Sequence, residues 1–499
     1  MDSPDSFKEN LISSPVPSEF HLAEKSLVGV AGSLAVLNSA TIEQEPAEEA
    51  VIIEEPLHEP MKCRLFYTML FVLMSLNDGL MVGYNTYLVA DFTERKVPSI
   101  ERSLLYVVTI AYFFRMFIGP VTDRYYMPNV GKRKTYLVPC KLITTVLYFI
   151  MSFWIDGLVE NTKVLNIGLF FFFLSWFMIF ENNAMAGFRV DFFGKNESSA
   201  AGAATTMSLI GGVGLGMQVF NILNSDKICK EYLGFSGAVM DHAAFFRLIG
   251  FINIVGLTIM YFIKEKVSDG STEFRFSGNP IKVIKSMFGV AKLRNIIIIN
   301  IIAPTISIGL KVSINQYYWK KGLKKDLHIL ALSIVLVPMT IASNLIWIKF
   351  TKKGNLMYLF WLAITLATAT EFFHIFNYKS FKPGENDGRT IIFICILTIS
   401  DSIGNWPMIQ GSLLIRVAPP KYAITFLSSL NSIVAVTRLF PAVTMTAIVD
   451  YVNFEWLIVS SLLLQVIVSV ATYSTCVDID KEEPSELGKQ FSAKLEAAK

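Results

Sequence analysis

Residues 119–134 read GPVTDRYYMPNVGKRK and close an apolar run that begins near residue 103. Asp123 and Arg124 stand at the end of this run, and the loop that follows carries a basic cluster made of Lys132, Arg133 and Lys134. Opposite charges at a helix end and in the next loop can hold one conformation of a multi-helix membrane protein closed. A basic loop alone would also follow from the enrichment of Lys and Arg on the cytosolic side of a membrane. We expect these five residues to control conformation.

The composition of the chain is that of a membrane protein. Of its 499 residues, 53% are hydrophobic and 17% are charged, whereas soluble domains are about 25% charged. Such an apolar chain is suited to contact with lipid. The five cysteines are scattered, without the spacing of a disulfide framework or of a zinc site. We expect no metal and no cofactor.

Twelve segments are apolar over the roughly 20 residues that a spanning helix needs. The predicted spans are 65–90, 103–121, 135–155, 164–187, 198–224, 243–263, 294–318, 327–348, 355–376, 390–414, 421–447 and 454–476. The longest polar connection, the central cytosolic loop 264–292, follows the sixth span. The sequence therefore predicts an all-α membrane protein with twelve transmembrane helices in two six-helix halves, residues 63–263 and 293–476.

Loop charges predict the orientation, because Lys and Arg are enriched on the cytosolic side. Most bases fall in loops on the N-terminal side, although one opposite loop is an exception, with Lys320, Lys321, Lys324 and Lys325. We expect both termini in the cytosol, as a disordered acidic tail, 1–62, and a C-terminal tail, 477–499. Residues 1–60 carry 12 acids and 2 bases, which favours disorder. Their mild apolar run lacks the basic start of a signal peptide.

The layout and the loop together resemble a known family. Two six-helix halves joined by a basic loop are typical of the major facilitator superfamily, which places G-x-x-x-D-R-x-G-R/K-R after the second helix. The longer loop of this chain is similar to that of the acetyl-coenzyme A transporters, solute carrier family 33, which reads K-L-L-W-A-P-L-V-D, a short aromatic insert, and G-R-R-K-S-W-L-V-P. The matching stretches are RMFIGPVTD at 115–123 and GKRKTYLVP at 131–139. Weaker matches include Gly212, Gly216 and CKEYL at 229–233.

Two stretches depart from the family's pattern. The family reads Q-D-I-A-V-D-G-W in helix four, whereas this chain reads ENNAMAGF at 181–188, so both acids are missing and Glu181 replaces an amide. The family's G-G-N-W-P in helix eleven corresponds to TRLFP at 437–441. The resemblance implies the major facilitator fold and import of acetyl-CoA into the endoplasmic reticulum for lumenal acetylation. The departures concern the identity of the substrate.

Ionisable residues inside predicted spans are costly and mark a pathway or a partner. Those singled out are Asp78, Arg115, Glu181, Lys311, Asp401 and Arg438. Arg189 and Glu371 stand near helix ends, and we expect them to extend to the membrane interface. Guanidinium groups bind phosphate oxygens in bidentate fashion, so Arg115 and Arg438 are predicted to bind substrate phosphates. Internal ion pairs of these arginines with Glu181 or Asp78 are the alternative.

Other positions complete the predicted site. The further substrate contacts are Glu181, Asn182, Asn77 and Tyr84, and Asp78 or Glu181 is a candidate proton site. Three aromatic residues could stack on an adenine ring: Tyr84, Trp406 and Phe440. Aromatic residues in membrane helices more often only pack against neighbouring helices. The glycine-rich run at 211–216 follows no strand, so it indicates a close helix contact and not a nucleotide-binding loop.

The leading hypothesis is transport of acetyl-CoA or a related acyl-CoA across the endoplasmic reticulum membrane, with the plasma membrane as the alternative location. Another anionic solute, such as a nucleotide or a muropeptide-like conjugate, is the second hypothesis. A membrane-embedded acyltransferase would need a buried catalytic histidine with a polar partner. The histidines lie in the tail or near helix ends, at His21, His58, His242, His328 and His374, which disfavours catalysis. The expected partners are a small-molecule substrate and the lipid bilayer, without nucleic acid.

Overall fold

A computed structural model describes residues 61–497 except 109, 128, 194–197, 263–279, 352–354, 405 and 420–422. Every regular element within these residues is a helix, as expected where lipid leaves no other partner for the backbone. The α-helices are α1 (Met61–Met74), α2 (Leu76–Glu94), α3 (Ser99–Val107), α4 (Ile110–Phe113), α5 (Arg115–Arg124), α6 (Lys134–Met151), α7 (Ile155–Glu160), α8 (Val164–Phe193), α9 (Ser198–Val213), α10 (Phe220–Asn224), α11 (Asp226–Glu231), α12 (His242–Phe262), α13 (Pro280–Gly289), α14 (Ala291–Lys321), α15 (Lys325–Phe350), α16 (Leu356–Thr370), α17 (His374–Ser380), α18 (Asp387–Gly404), α19 (Trp406–Val417), α20 (Ala423–Ile448), α21 (Phe454–Ile479) and α22 (Pro484–Ala497). Apart from residues 61 and 62, the predicted acidic tail lies outside the described residues.

Nine helical segments of the described chain have the length and composition to cross a membrane. They are Ser99–Thr122, Lys134–Met151, Val164–Val190, Ser198–Asn224, His242–Phe262, Ala291–Lys321, Leu356–Ser380, Ile424–Ile448 and Phe454–Ile479. Each coincides with a predicted span, so an all-α, multi-pass membrane protein is confirmed. The three other predicted spans fall on α1 with α2, on α15, and on α18 with α19. The total of twelve spans and the division into halves stay predictions.

The helix α2 packs backbone to backbone against α9 and the π-helical turn that follows it, Gly214–Val219. A Cβ atom at Gly79 would lie 2.3 Å from the Leu209 carbonyl oxygen, and one at Gly216 would lie 2.3 Å from that of Leu80. Only glycine allows two helices to approach so closely in a membrane. The prediction that the glycine-rich run is a helix contact surface is confirmed.

The predicted C-terminal tail, 477–499, contains the helix α22. The helix α22 buries Leu487, Phe491 and Leu495, whose four-residue spacing places them on one face. This face packs against α13 and α19, and a Cβ atom at Gly488 would lie 2.5 Å from the Val417 carbonyl oxygen. The central connection also contains a helix, α13. The division of the chain at residues 292 and 477 is not tested by these observations.

Candidate functional site

A buried ion pair ties α6 and α8 to the junction between α1 and α2. Lys141 on α6 places its Nζ 2.6 Å from Glu181 Oε1 on α8, and both side chains are at most 3% exposed. Lys141 also donates to the Met74 carbonyl oxygen at 2.9 Å; this oxygen lies at the end of α1, where helical carbonyls lack partners. Asn77 donates to Glu181 Oε2 at 3.2 Å. Lys141 is not among the predicted site residues, although a lysine inside the predicted span 135–155 is itself a signal.

Arg115 begins α5 and pairs with an amide. Its Nε donates to Asn183 Oδ1 at 3.0 Å, and Asn183 Nδ2 donates to the Arg115 carbonyl oxygen at 3.4 Å. Asp78 accepts a hydrogen bond from Tyr112 at 2.7 Å. The alternative is an internal ion pair of Arg115 with Glu181 or Asp78. In the described structure, neither carboxylate lies within the 4.0 Å of the Arg115 guanidinium that an ion pair requires.

Arg189 on α8 does not extend to the membrane interface, so that expectation is wrong. It is only 7% exposed. Its Nε donates to the Met185 carbonyl oxygen at 3.4 Å, and its Nη1 donates to the Thr205 hydroxyl on α9. The side chain turns back along α8 to Met185, two residues from Asn183, which is the partner of Arg115. A position near a helix end does not decide where a long side chain lies, because packing against neighbouring helices determines the direction in which it turns.

The predicted gating residues extend from the end of α5 to the start of α6. The side chains of Asp123 and Arg124 lie outside the described part of the structure. Arg133 is buried at 3% exposure and reaches α8 and α20, since a Cβ atom at Gly187 would lie 2.9 Å from Arg133 Cζ and 2.5 Å from Ile424 Cγ1. Lys132 is half-buried, and Lys134 donates to the Tyr261 carbonyl oxygen at 3.4 Å. A gating role for these residues stays a prediction.

Tyr84 lies inside an aromatic cluster in this conformation. Its ring is fully buried and packs 5.1–5.4 Å, between ring centroids, from Phe220, Phe245 and Phe246. Its hydroxyl is 2.7 Å from His242 Nδ1. A ligand ring would reach Tyr84 only if this cluster opened.

The other predicted positions are dispersed. Asn182 is buried at 8% exposure, whereas the Phe440 side chain is 66% exposed. Trp406 packs edge-on against Phe360. The side chains of Arg438 and Asp401 lie outside the described part of the structure. Of the predicted substrate contacts, the structure pairs Asn77 with Glu181 and places Arg115 on Asn183, a neighbour of Asn182 on α8; it does not test Arg438.

Two buried histidines have polar partners, contrary to the sequence argument. His374 Nε2 lies 3.2 Å from Glu371 Oε2, so Glu371 also turns inward, at 7% exposure. Trp319 Nε1 donates to His328 Nδ1 at 3.0 Å. Both histidines are buried beside α14, His328 at 0% exposure next to Trp319 and His374 at 4% exposure next to Tyr318. A substrate does not reach either ring in this conformation.

A second group of charges links α2 and α3 to the C-terminal helices. Lys325 at the start of α15 lies 2.7 Å from Asp91 on α2 and 3.4 Å from Glu94. Asp450, just after α20, lies 3.8 Å from Arg102 on α3 and 3.1 Å from Lys320 on α14. Two lysines of the loop that weakens the predicted charge bias are thus paired with acids, which explains the exception.

The family suggested by the loop is also found by comparison with known proteins. The sequence model described as "Acetyl-coenzyme A transporter 1" matches residues 65–278, so the resemblance is confirmed over that segment. An uncharacterized protein of Schizosaccharomyces pombe is 21% identical over 196 residues, 39% of this chain and 37% of its own length. An uncharacterized membrane protein of Saccharomyces cerevisiae is 20% identical over 222 residues, 40% of this chain and 39% of its own length. The chain thus spans about two-fifths of these relatives.

Solved structures of low sequence identity share the fold. The human organic anion transporter MFSD10 (TETRAN) superposes with a TM-score of 0.58 at 13% identity, over 83% of this chain and 99% of that structure. A mutant of the nucleoside transporter NupG superposes with a TM-score of 0.51 at 11% identity, over 82% and 99%. The chain has the fold of major facilitator transporters, and the family match is to a family of membrane transport proteins.

Proposed function

We propose that this chain is a transporter that moves acetyl-CoA, or a related acyl-CoA, across the endoplasmic reticulum membrane by alternating access. The observation that carries this proposal is Arg115. It lies on α5 within the segment matched by the acetyl-CoA transporter family, and it bonds to the neutral Asn183. An arginine inside a membrane protein without a carboxylate partner is costly unless an anion binds it. Coenzyme A compounds carry phosphate groups, which guanidinium groups bind in bidentate fashion.

The architecture of the proposal is twelve spans in two six-helix halves with both termini in the cytosol. The halves would rock about a central site, so contacts between early and late helices must form and break. Such contacts include the ion pair of Lys325 with Asp91 and the hydrogen bond from the Met116 backbone N–H to the Ser432 hydroxyl. Asp123 and the basic residues after it would stabilise the state closed to the cytosol.

The residues divide by role. Arg115 and Arg438 would bind substrate phosphates, with Asn182 lining the same site. Glu181 is engaged by Lys141 and Asn77, so we assign these residues a structural role and Asp78 the role of proton site. Another anionic solute would use the same arginines, and the missing acids at positions 182 and 186 keep that hypothesis open.

Uptake of radiolabelled acetyl-CoA by the purified chain in liposomes tests the substrate. We expect saturable uptake that unlabelled CoA competes with strongly, and acetate does not. Arg115→Ala should nearly abolish uptake, and Arg115→Lys should weaken it, because lysine lacks the planar fork. Uptake competed by ATP but not by CoA would reject the acyl-CoA substrate in favour of a nucleotide.

Epitope tags at residues 269 and 387 should be accessible from opposite sides of the membrane. Equal accessibility of both tags from one side would reject the topology.

A further inference from the structure

Two arginines of the N-terminal helices, the half-buried Arg115 and the buried Arg189, have only neutral hydrogen-bond partners among the described residues. Arg115 on α5 is held by Asn183, and Arg189 on α8 by the Met185 carbonyl and the Thr205 hydroxyl. Among the described residues, no carboxylate lies within 4.0 Å of either guanidinium. The buried Lys141 differs, since its Nζ lies 2.6 Å from a carboxylate oxygen of Glu181.

The local charge is positive. Among the described residues, Asp78 accepts its hydrogen bond from Tyr112 at 2.7 Å and not from an arginine. Glu181 is neutralised by Lys141. The two guanidinium groups bond to neighbouring positions of α8, since Arg115 donates to Asn183 and Arg189 donates to the Met185 carbonyl oxygen. Buried positive charge without a matching acid is unfavourable in the empty protein, which points to an anion that binds and leaves.

The geometry limits the kind of anion. Amide, carbonyl and hydroxyl partners orient the two guanidinium groups without neutralising them. Within the described structure, Nη1 and Nη2 of Arg115 have no hydrogen-bond acceptor, and neither does Nη2 of Arg189. Two forks of donors match a group with several oxygens and about two negative charges, as in a phosphate monoester or a diphosphate. A single carboxylate, such as acetate, would leave donors unfilled.

We infer that Arg115 and Arg189 together form a binding site for a phosphate monoester or diphosphate group, with Asn183 and Thr205 as positioning residues. This inference deepens the proposed function and rests on it only for the identity of the solute. It adds a second arginine from the same group of N-terminal helices as Arg115.

The test measures binding of inorganic pyrophosphate to the purified full chain by isothermal titration, with acetate as the monoanion control. Arg115→Gln and Arg189→Gln should each weaken pyrophosphate binding about tenfold or more, as the loss of one bidentate contact predicts. The matched control is Arg247→Gln, because Arg247 is an exposed arginine on α12. The Arg247→Gln variant should bind pyrophosphate with the affinity of the wild type. Wild-type affinity in Arg189→Gln would overturn the inference.

Stability and transport separate the remaining outcomes. Without ligand, Arg189→Gln should melt at or above the wild-type temperature, because a buried charge that no described carboxylate neutralises is removed. A lower melting temperature would mean that Arg189 is a structural tie, and would also overturn the inference. Pyrophosphate binding that needs both arginines, in a protein that does not take up acetyl-CoA, would keep this site and reject the proposed substrate. Acetyl-CoA uptake with an unchanged KM in Arg189→Gln would keep the function and reject the site.

Discussion

Replacing Lys141 by Met should destabilise the protein more than any other conservative single change in α6. Methionine has a similar shape and length, so the main loss is the charge that faces Glu181 at 2.6 Å and the donor to the Met74 carbonyl at 2.9 Å. Glu181 would stay buried at 3% exposure, with Asn77 as its remaining partner.

The magnitude follows from opposing terms. At 2.6 Å and an effective dielectric constant of about 20, the two charges attract by about 6 kcal/mol. Removing both ions from water costs several kcal/mol each, so the intact pair contributes little net stability. Removing one partner leaves that cost uncompensated, and the expected loss is about 3–5 kcal/mol. The double variant Lys141→Met with Glu181→Gln should recover most of this loss.

The assay is thermal unfolding of detergent-purified variants by tryptophan fluorescence, together with acetyl-CoA uptake in liposomes. We expect a markedly lower melting temperature for Lys141→Met, and near wild-type stability and uptake for the double variant. A wild-type melting temperature for Lys141→Met would refute the buried ion pair. A stable double variant that does not transport would refute the structural role and return Glu181 to the substrate or proton site.

Three further outcomes test the rest of the structure. Gly79→Val should prevent folding, because its Cβ atom would lie 2.3 Å from a backbone oxygen. Gly157→Val should be tolerated, since nothing lies within 4 Å of a Cβ atom there. The yield of monodisperse protein measures both outcomes. Lys325→Met removes the ion pair with Asp91 and should shift the population toward a state in which this end of the helix bundle is open. Maleimide labelling of Ser99→Cys should then rise severalfold. Unchanged labelling would mean that the Lys325–Asp91 ion pair does not close this end. Partial burial would raise the pKa of Asp450, but the hydrogen bond from its serine neighbour and the charges of the adjacent lysine and arginine outweigh it and lower that pKa. Its stabilisation should therefore be present above the ordinary carboxyl pKa of about 3.9 and be lost as the pH falls through the lower folded-state value, so the melting temperatures of wild type and Asp450→Asn should converge in acid.

The sequence alone determines the class of protein and much of its framework. Apolar runs of spanning length are local features, and a helix in lipid must satisfy its own backbone, so nine predicted spans coincide with helices suited to a membrane. The glycine-rich run also acts locally, because a missing side chain permits close approach wherever a partner helix lies. Arg115 could be singled out for the same reason: an arginine inside an apolar run is unusual whatever surrounds it.

Tertiary structure decides which charges meet. Glu181 pairs with Lys141, and Arg115 with Asn183. The rotation of each helix about its own axis sets which side chains face each other. The hydropathy of a span does not depend on that rotation, so it cannot predict these pairs. Arg189 stands near a helix end in the sequence, yet α9 packs over it and turns it inward. Burial and partner choice depend on neighbours distant along the chain, and for that reason the positive charge of the candidate site appears only when the helices are assembled.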